Sequence, residues 1–277
     1  MGAVSDALRL RVVIEAPPDA IVKAVTEADL TTEWLAETVE TTPERYEFSG
    51  RHVPRGDRAR QRRLEPDGQA VRFAWDLDGP EPSEVELTVT PEGERGSLVG
   101  LAHSGVPADS RTALEAFWHL ALANLAARGE GYPTTPPLDF TLPAQGEARV
   151  RAVIAVPPEE VYACLLYAEQ VGRWAGTTAT IEPTVGGRYD LGWERGPVAI
   201  TDLVPDRALA VSWRPPDSVV RWDLRTSHGH TFLTLVHGEF DDDALAEELR
   251  LRWVPLLVEL KRMLELGPRW QPLADRS

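Results

Sequence analysis

Cysteine is scarce in this chain, with one residue in 277. That one, Cys164, excludes an internal disulfide and any zinc site built on several thiolates. It reads as a small hydrophobe on the buried side of a helix. Long apolar runs are missing too: no stretch approaches 18 consecutive apolar residues, so no membrane-spanning helix is expected. The start, MGAVSDALRL, lacks a basic segment and an apolar core. It is not read as a secretory signal, and a cytoplasmic location is expected. Positive charge is in the minority: 29 Lys and Arg against 44 Asp and Glu give a formal net charge of −15. This balance argues against nucleic acid, which needs a basic face to displace counterions, and against anionic membranes. The chain also lacks a nucleophile elbow, a phosphate-binding loop, an HExxH pair and paired CxxC motifs. The six histidines show no metal-ligand spacing. No catalytic residue, metal or cofactor is assigned, and a non-enzymatic role is favoured.

What is present is a repeat. VVIEAPPDAI (Val12–Ile21) is re-spelled as AVIAVPPEEV (Ala152–Val161). Aligned without gaps, Arg11–Leu35 and Arg151–Ala175 share seven of 25 positions, among them both prolines of each pair and Trp34/Trp174. The order of matches then continues. RYEF (Arg45–Phe48) pairs with RYDL (Arg188–Leu191), and the segments ending at Trp75 and Trp213 pair. His103 pairs with His237, and Trp118 with Trp253. A 43% hydrophobic content is enough for two real cores. The chain therefore reads as a duplicated domain of about 120 residues, not a short solenoid unit. The expected divisions are a tail at 1–7, a domain at 8–130, a proline-rich stiff linker at 131–146, a second domain at 147–267 and a tail at 268–277.

Each copy predicts the same elements. A β-branched strand (Val12, Val13, Ile14) comes first. A double proline follows, whose second member suits the first turn of a helix. After a helix carrying Ile21, Val22 and Val25 comes a second short helix ending near Trp34. Strands such as VRFAWDL and SEVELTVT alternate apolar and polar residues. Each copy closes with its longest helix. In copy one the apolar stripe is Leu114, Phe117, Trp118, Ala121, Leu122 and Leu125; in copy two it is Trp253, Leu256, Leu257, Leu260 and Leu264. Pro255 should bend the second long helix or mark a late start. Asp241–Asp243 should cap its beginning.

Strand, two short helices, antiparallel strands and a long amphipathic helix form an α+β arrangement. The start APPDAIVKAVTEADLTTEWL, the middle GGRYDLGW…GPVAITDLVPDRALAVSW and the late Trp-bearing helix resemble the helix-grip (START-like, SRPBCC) superfamily. They are most similar to its branch named after the C-terminal domain of the activator of Hsp90 ATPase. Gly186, Gly187, Gly196, Pro205, Leu209 and Trp213 fit that branch's motif, whereas copy one has no glycine pair before Tyr46. The resemblance implies two tandem helix-grip domains, each a curved antiparallel sheet wrapped around its long C-terminal helix.

The resemblance also implies a mostly apolar cavity between sheet and long helix. Trp75, Trp118, Trp213 and Trp253 are expected to face it. With Phe117, Tyr189 and Leu257 they make up the candidate ligand-binding wall, and core filling is the competing reading of the same rings. The implied function is non-catalytic binding of a hydrophobic small molecule. The alternatives are a polyketide aromatase/cyclase-like enzyme and a chaperone-regulating or other protein-interaction module, which would bring a protein partner. No oligomeric state is assigned.

Three polar features remain. His228 and His230 in SHGHT read as a solvated turn. His103 and His237 fall at strand ends. The segment RHVPRGDRARQRR carries six arginines between Arg51 and Arg63. Arg58, Arg60 and Arg62 are expected on one face of a strand, pointing away from the cavity and paired with nearby carboxylates.

Overall fold

The computed structural model describes residues 7–65 and 71–274. The chain divides into two compact units. One comprises Met1–Leu142 with Gln271–Ser277, the other Pro143–Trp270.

In the first unit, strand β1 (Leu8–Ile14) is followed by helices α1 (Pro18–Thr26) and α2 (Ala28–Thr31). Pro17 is extended at φ −61°, ψ 144°, and Pro18 opens α1 in the first turn, where a missing N–H costs nothing. Six strands follow: β2 (Thr38–Thr41), β3 (Tyr46–Ser49), β4 (Gln61–Arg63), β5 (Val71–Trp75), β6 (Ser83–Glu92) and β7 (Gly96–Ser104). The unit's longest helix, α3, spans Arg111–Glu130. The main sheet is antiparallel in the order β1-β7-β6-β5-β4, with β2 and β3 as a separate hairpin. Register follows the period-2 pattern: Leu10 faces Leu101, Val12 faces Val99, and Leu87 faces both Val71 and Leu101. All of these are buried, so one side of the sheet makes the core.

The second unit repeats this plan. Strand β8 (Glu147–Ile154) leads to α4 (Pro158–Leu166) and α5 (Ala168–Ala175). Then come β9 (Thr180–Ile181), β10 (Tyr189–Asp190), β11 (Gly196–Val204), β12 (Ala208–Arg214), β13 (Ser218–Ser227), β14 (His230–Gly238) and α6 (Asp243–Leu266). The sheet order is β11-β12-β13-β14-β8, the same path position for position. Each unit is thus a five-stranded antiparallel sheet packed against a long C-terminal helix, and the fold is a tandem helix-grip.

The repeat extends to single hydrogen bonds. Trp34 Nε1 donates to Ala24 O at 2.9 Å, and Trp174 Nε1 to Cys164 O at 3.0 Å. Each bond ties a tryptophan at or just beyond the second short helix to the helix before it. Ser97 Oγ donates to Ala16 O and Thr231 Oγ1 to Val156 O, both at 2.7 Å, holding the chain just beyond the first strand. Glu130 and Glu265, near the ends of the long helices, accept from Glu15 N (2.8 Å) and Ala155 N (2.9 Å). None of these pairs is adjacent in sequence, so the shared architecture sets them.

Some local expectations changed. Helix α6 does not start late: it runs unbroken through Pro255, and Asp242 caps it by accepting from Ala244 N at 2.9 Å. The arginine strand is shorter than expected. Strand β4 begins only at Gln61, so Arg58 and Arg60 precede it in a looped segment. Before them the chain makes a tight turn closed by Gly50 N donating to Gly56 O at 2.9 Å, where a Cβ on Gly56 would lie 2.2 Å from Gly50 O. Arg58 and Arg62 are exposed. Arg60 binds Asp57 and Asp78, and Arg55 binds Asp78 and Asp109. His228 and Gly229, both at positive φ, form the two-residue turn of the β13–β14 hairpin. The glycine pair of copy two also has a physical reason. Gly186 sits at φ +82°, and a Cβ on Gly187 would lie 2.3 Å from Glu182 O.

Candidate functional site

The seven candidate wall residues are all buried. Strands β5 and β12 aim Trp75 and Trp213 inward, and the long helices place Trp118 and Trp253 against them. The Trp75 and Trp118 ring centroids are 6.1 Å apart and nearly perpendicular; those of Trp213 and Trp253 are 5.7 Å apart. Phe117 contacts Trp75, Trp118 and Phe48. Tyr189 lies elsewhere in the second unit's core, and its hydroxyl donates to Leu165 O at 2.9 Å. Leu257 lies one turn beyond Trp253 on α6. Edge-to-face packing of this kind favours rings that fill each other's space. In the first unit the cluster is sealed, since Tyr46, Phe48, Phe73, Trp75 and Trp118 are each at most 1% exposed.

The second unit differs at its margin. Its cluster runs on through Trp193, 6.0 Å from Trp213, and Phe240, 5.0 Å from His237. Both are only half-buried. Next to them, a groove of about 670 Å³ runs along the outer face of the sheet. Trp213, Ser218 and Val219 line it together with Arg149, Arg214 and Arg221. Strand β12 thus borders the groove at Trp213, whose ring points the other way into the buried cluster.

At the centre of each cluster lies a hydrogen-bonded chain of three side chains. Trp118 Nε1 donates to His103 Nδ1 at 3.1 Å, and His103 Nε2 lies 2.9 Å from Ser83 Oγ. Ser83 Oγ donates to Trp75 O at 3.0 Å. In the second unit Trp253 Nε1 donates to His237 Nδ1 at 3.1 Å, and His237 Nε2 lies 3.0 Å from Ser218 Oγ. Ser218 Oγ donates to Pro216 O at 3.1 Å. Strand register builds the arrangement twice: Ser83 faces Trp75 across β5–β6, and Ser218 faces Trp213 across β12–β13.

The chemistry of the donors fixes every proton in this relay. An indole N–H can only donate, so Nδ1 must carry the lone pair and the neutral ring holds its proton on Nε2. Nε2–H then donates to the serine, whose own proton goes to a backbone carbonyl. A serine nucleophile needs the reverse, a histidine nitrogen that accepts its proton. The Ser–His distances match those of a catalytic pair, but the tryptophan orients the ring the other way. Burial acts in the same sense, lowering the pKa to about 3 for His103 and about 4 for His237. Protonation would set a second N–H against the indole donor. These histidines are thus neutral connectors that satisfy buried tryptophans.

The repeat alone pairs His103 with His237 and Trp118 with Trp253. Which of them touch could not be read from it, because the bonds join strands to a helix 15 or 16 residues on. The available signal was a serine opening the strand after each buried tryptophan. The other histidines lie elsewhere: His52 Nδ1 lies 2.9 Å from Leu138 O, His119 Nδ1 lies 2.7 Å from Glu115 O, and His228 and His230 are in the hairpin. Among the described residues, no group of three or more His, Cys, Asp or Glu could hold a metal ion. Nor is any described helix long and apolar enough to cross a membrane.

Comparison with known proteins adds the following. Residues 155–265 match the family described as Activator of Hsp90 ATPase homolog 1-like protein. No curated protein matches the chain. Among solved structures, the Aha1 dimer from Colwellia psychrerythraea is 22% identical, covering 45% of this chain and 99% of that one at a TM-score of 0.41. A protein from the dynemicin biosynthetic locus is 19% identical, covering 95% of this chain and 98% of that one at a TM-score of 0.38. An HSP90 activator from Plasmodium falciparum is 19% identical, covering 39% of this chain and 88% of that one at a TM-score of 0.35. The family match lies wholly within the second unit, from the end of β8 almost to the end of α6. The protein is a tandem helix-grip chain, and residues 155–265 of its second unit match the Activator of Hsp90 ATPase homolog 1-like family.

Proposed function

We propose that the chain is a non-catalytic binding protein that takes up a flat, hydrophobic small molecule in its second unit. The observation that carries this reading is the contrast between the two aromatic clusters. The first is closed by its own rings. The second reaches the surface through half-buried Trp193 and Phe240. A ligand ring would displace Trp193 and stack on Trp213, with Trp253 and Leu257 as the inner wall between sheet and helix. The serine relay, in which His237 Nε2–H donates to Ser218 Oγ instead of accepting its proton, supports binding over nucleophilic catalysis. Removing about 200 Å² of apolar surface from water contributes roughly 5 kcal/mol, enough for weak to moderate affinity in a two-ring compound.

The test is a titration of a fluorescent naphthalene-type probe into the wild type, Trp193→Ala and Trp213→Ala. Saturable binding that weakens at least tenfold in Trp213→Ala is expected. No binding by the wild type, or equal affinity in all three, leaves core packing as the whole role of these rings. A protein partner is a second reading, which the family match of residues 155–265 favours.

A further inference from the structure

The segment after α3 carries three prolines, Pro133, Pro136 and Pro137, and its interactions with the first unit are unusually specific. Asn124, buried on α3, grips the backbone of Thr135 on both sides. Its Nδ2 donates to Thr135 O at 3.0 Å, and its Oδ1 accepts from Thr135 N at 2.8 Å. His52 Nδ1 lies 2.9 Å from Leu138 O, and so acts as its donor. Phe140 N donates to Arg51 O at 2.8 Å. All four bonds go to main-chain atoms of the segment. Its side chains meet an apolar face: Pro137, Leu138 and Phe140 enclose a void of about 10 Å³ with Trp34, Leu35, Phe117, Leu120 and Ala121. Those five are buried, as is Leu138, while Pro136 and Pro137 are exposed.

The second unit lacks this face. The alignment that pairs Trp118 with Trp253 sets Arg252, Pro255 and Leu256 where the first unit has Phe117, Leu120 and Ala121. Arg252 is 62% exposed, and Pro255 and Leu256 are half-buried. The same alignment sets Glu259 opposite Asn124 and Trp270 opposite Thr135. There the contact is between side chains, Trp270 Nε1 donating to Glu259 Oε2 at 3.0 Å. Only the first unit combines a main-chain clasp with an apolar face. That is the pairing that recognises an extended, proline-bearing segment: prolines preset the extended chain, fixed polar groups read its backbone, and a hydrophobic shelf takes alternate side chains.

We infer that this face of the first unit is a docking groove for an extended proline-containing polypeptide, occupied in cis by residues 135–140. A partner segment of the same chemistry, with a leucine after the prolines and an aromatic two residues further on, binds it in trans by displacing the cis segment. The covalently attached segment is present at high effective concentration, so it suppresses weaker competitors.

The experiment uses the full-length chain carrying Pro137→Gly, Leu138→Ser and Phe140→Ser together, which strips the cis segment's apolar side chains from the groove while leaving its walls intact. A fluorescein-labelled peptide of the native residues 132–142 is titrated in and followed by anisotropy. Saturable binding is expected, at least tenfold tighter than to the wild type, and adding Asn124→Ala to the variant should weaken it at least tenfold. Absence of saturable binding to a variant with native near-ultraviolet circular dichroism overturns the inference. So does binding that ignores Asn124→Ala. If the triple variant loses its native dichroism, Leu138→Ala alone replaces it. That chain must take up the peptide more tightly than the wild type, and equal binding refutes the groove.

Discussion

The Trp–His–Ser relays make the protein's stability depend on pH in a calculable way. An unfolded histidine takes up its proton near pH 6.5, whereas folded His103 does so only at about 3 and His237 at about 4. Below 6.5 the unfolded chain therefore binds more protons than the folded one, and each unit loses stability as pH falls. The loss runs at about 1.4 kcal/mol per pH unit for each histidine, and ends at the folded pKa. Above pH 6.5 the contribution is complete and flat. Between pH 6.5 and 5.0, before carboxylates titrate appreciably, each unit should lose about 2 kcal/mol, a large part of the 5–15 kcal/mol typical of a domain. Replacing His103 or His237 by Gln removes the titration while keeping an amide that can reach the serine. Each substitution should cost about 1–3 kcal/mol at pH 7.5, where an indole N–H loses its acceptor. It should also flatten the pH dependence of that unit by the same 1.4 kcal/mol per unit. Urea unfolding followed by tryptophan fluorescence at pH 7.5, 6.5, 5.5 and 5.0 measures both effects. Parallel pH curves for wild type and the His103→Gln/His237→Gln double variant would refute the relay's neutral, buried state.

Two further tests use differences between the copies. Tyr46 and Tyr189 occupy matched positions, but the Tyr46 hydroxyl is buried without a partner while that of Tyr189 bonds Leu165 O. Tyr46→Phe should therefore stabilise by about 1 kcal/mol and Tyr189→Phe destabilise by a similar amount in chemical denaturation. On α6, Lys261 and Glu265 form a buried ion pair at 2.5 Å, and Lys261 Nζ also donates to Val153 O. Glu265→Leu leaves a buried ammonium without its counter-ion and should cost about 3–5 kcal/mol, whereas Lys261→Met with Glu265→Leu should recover part of that loss. Thermal and urea unfolding of the two variants decide this.

The tandem fold was legible because its signals are local or periodic. The doubled proline phrase, the alternation in SEVELTVT and the Leu114–Leu125 stripe each report their own element, and the order of matches reports the duplication. The buried faces followed from the same periodicity: Val85, Leu87 and Val89 point inward as the pattern requires. The tryptophans could be placed on the inner faces for that reason. What periodicity could not supply was which of them have neighbours on every side.

That was decided by contacts between distant elements. Trp118 reaches His103, and through it Ser83, only because α3 packs on the sheet that contains β6 and β7, and no spacing in sequence encodes that packing. The same holds for the direction of the relay's protons, which depends on an indole donor arriving at Nδ1 from another element. It holds for the proline segment, whose composition indicated a stiff spacer but whose clasp by Asn124 depends on one polar residue within a buried helix face. The C-terminal residues behave similarly: Arg11 N donates to Leu273 O, and Ala274 bridges to Leu10, so they extend the edge of the first unit's sheet. Sequence by itself determined the elements and which side of each is apolar, because those depend on neighbours two to four residues away. Tertiary structure alone decided which polar groups are satisfied and which rings are sealed, because both depend on which elements are brought together.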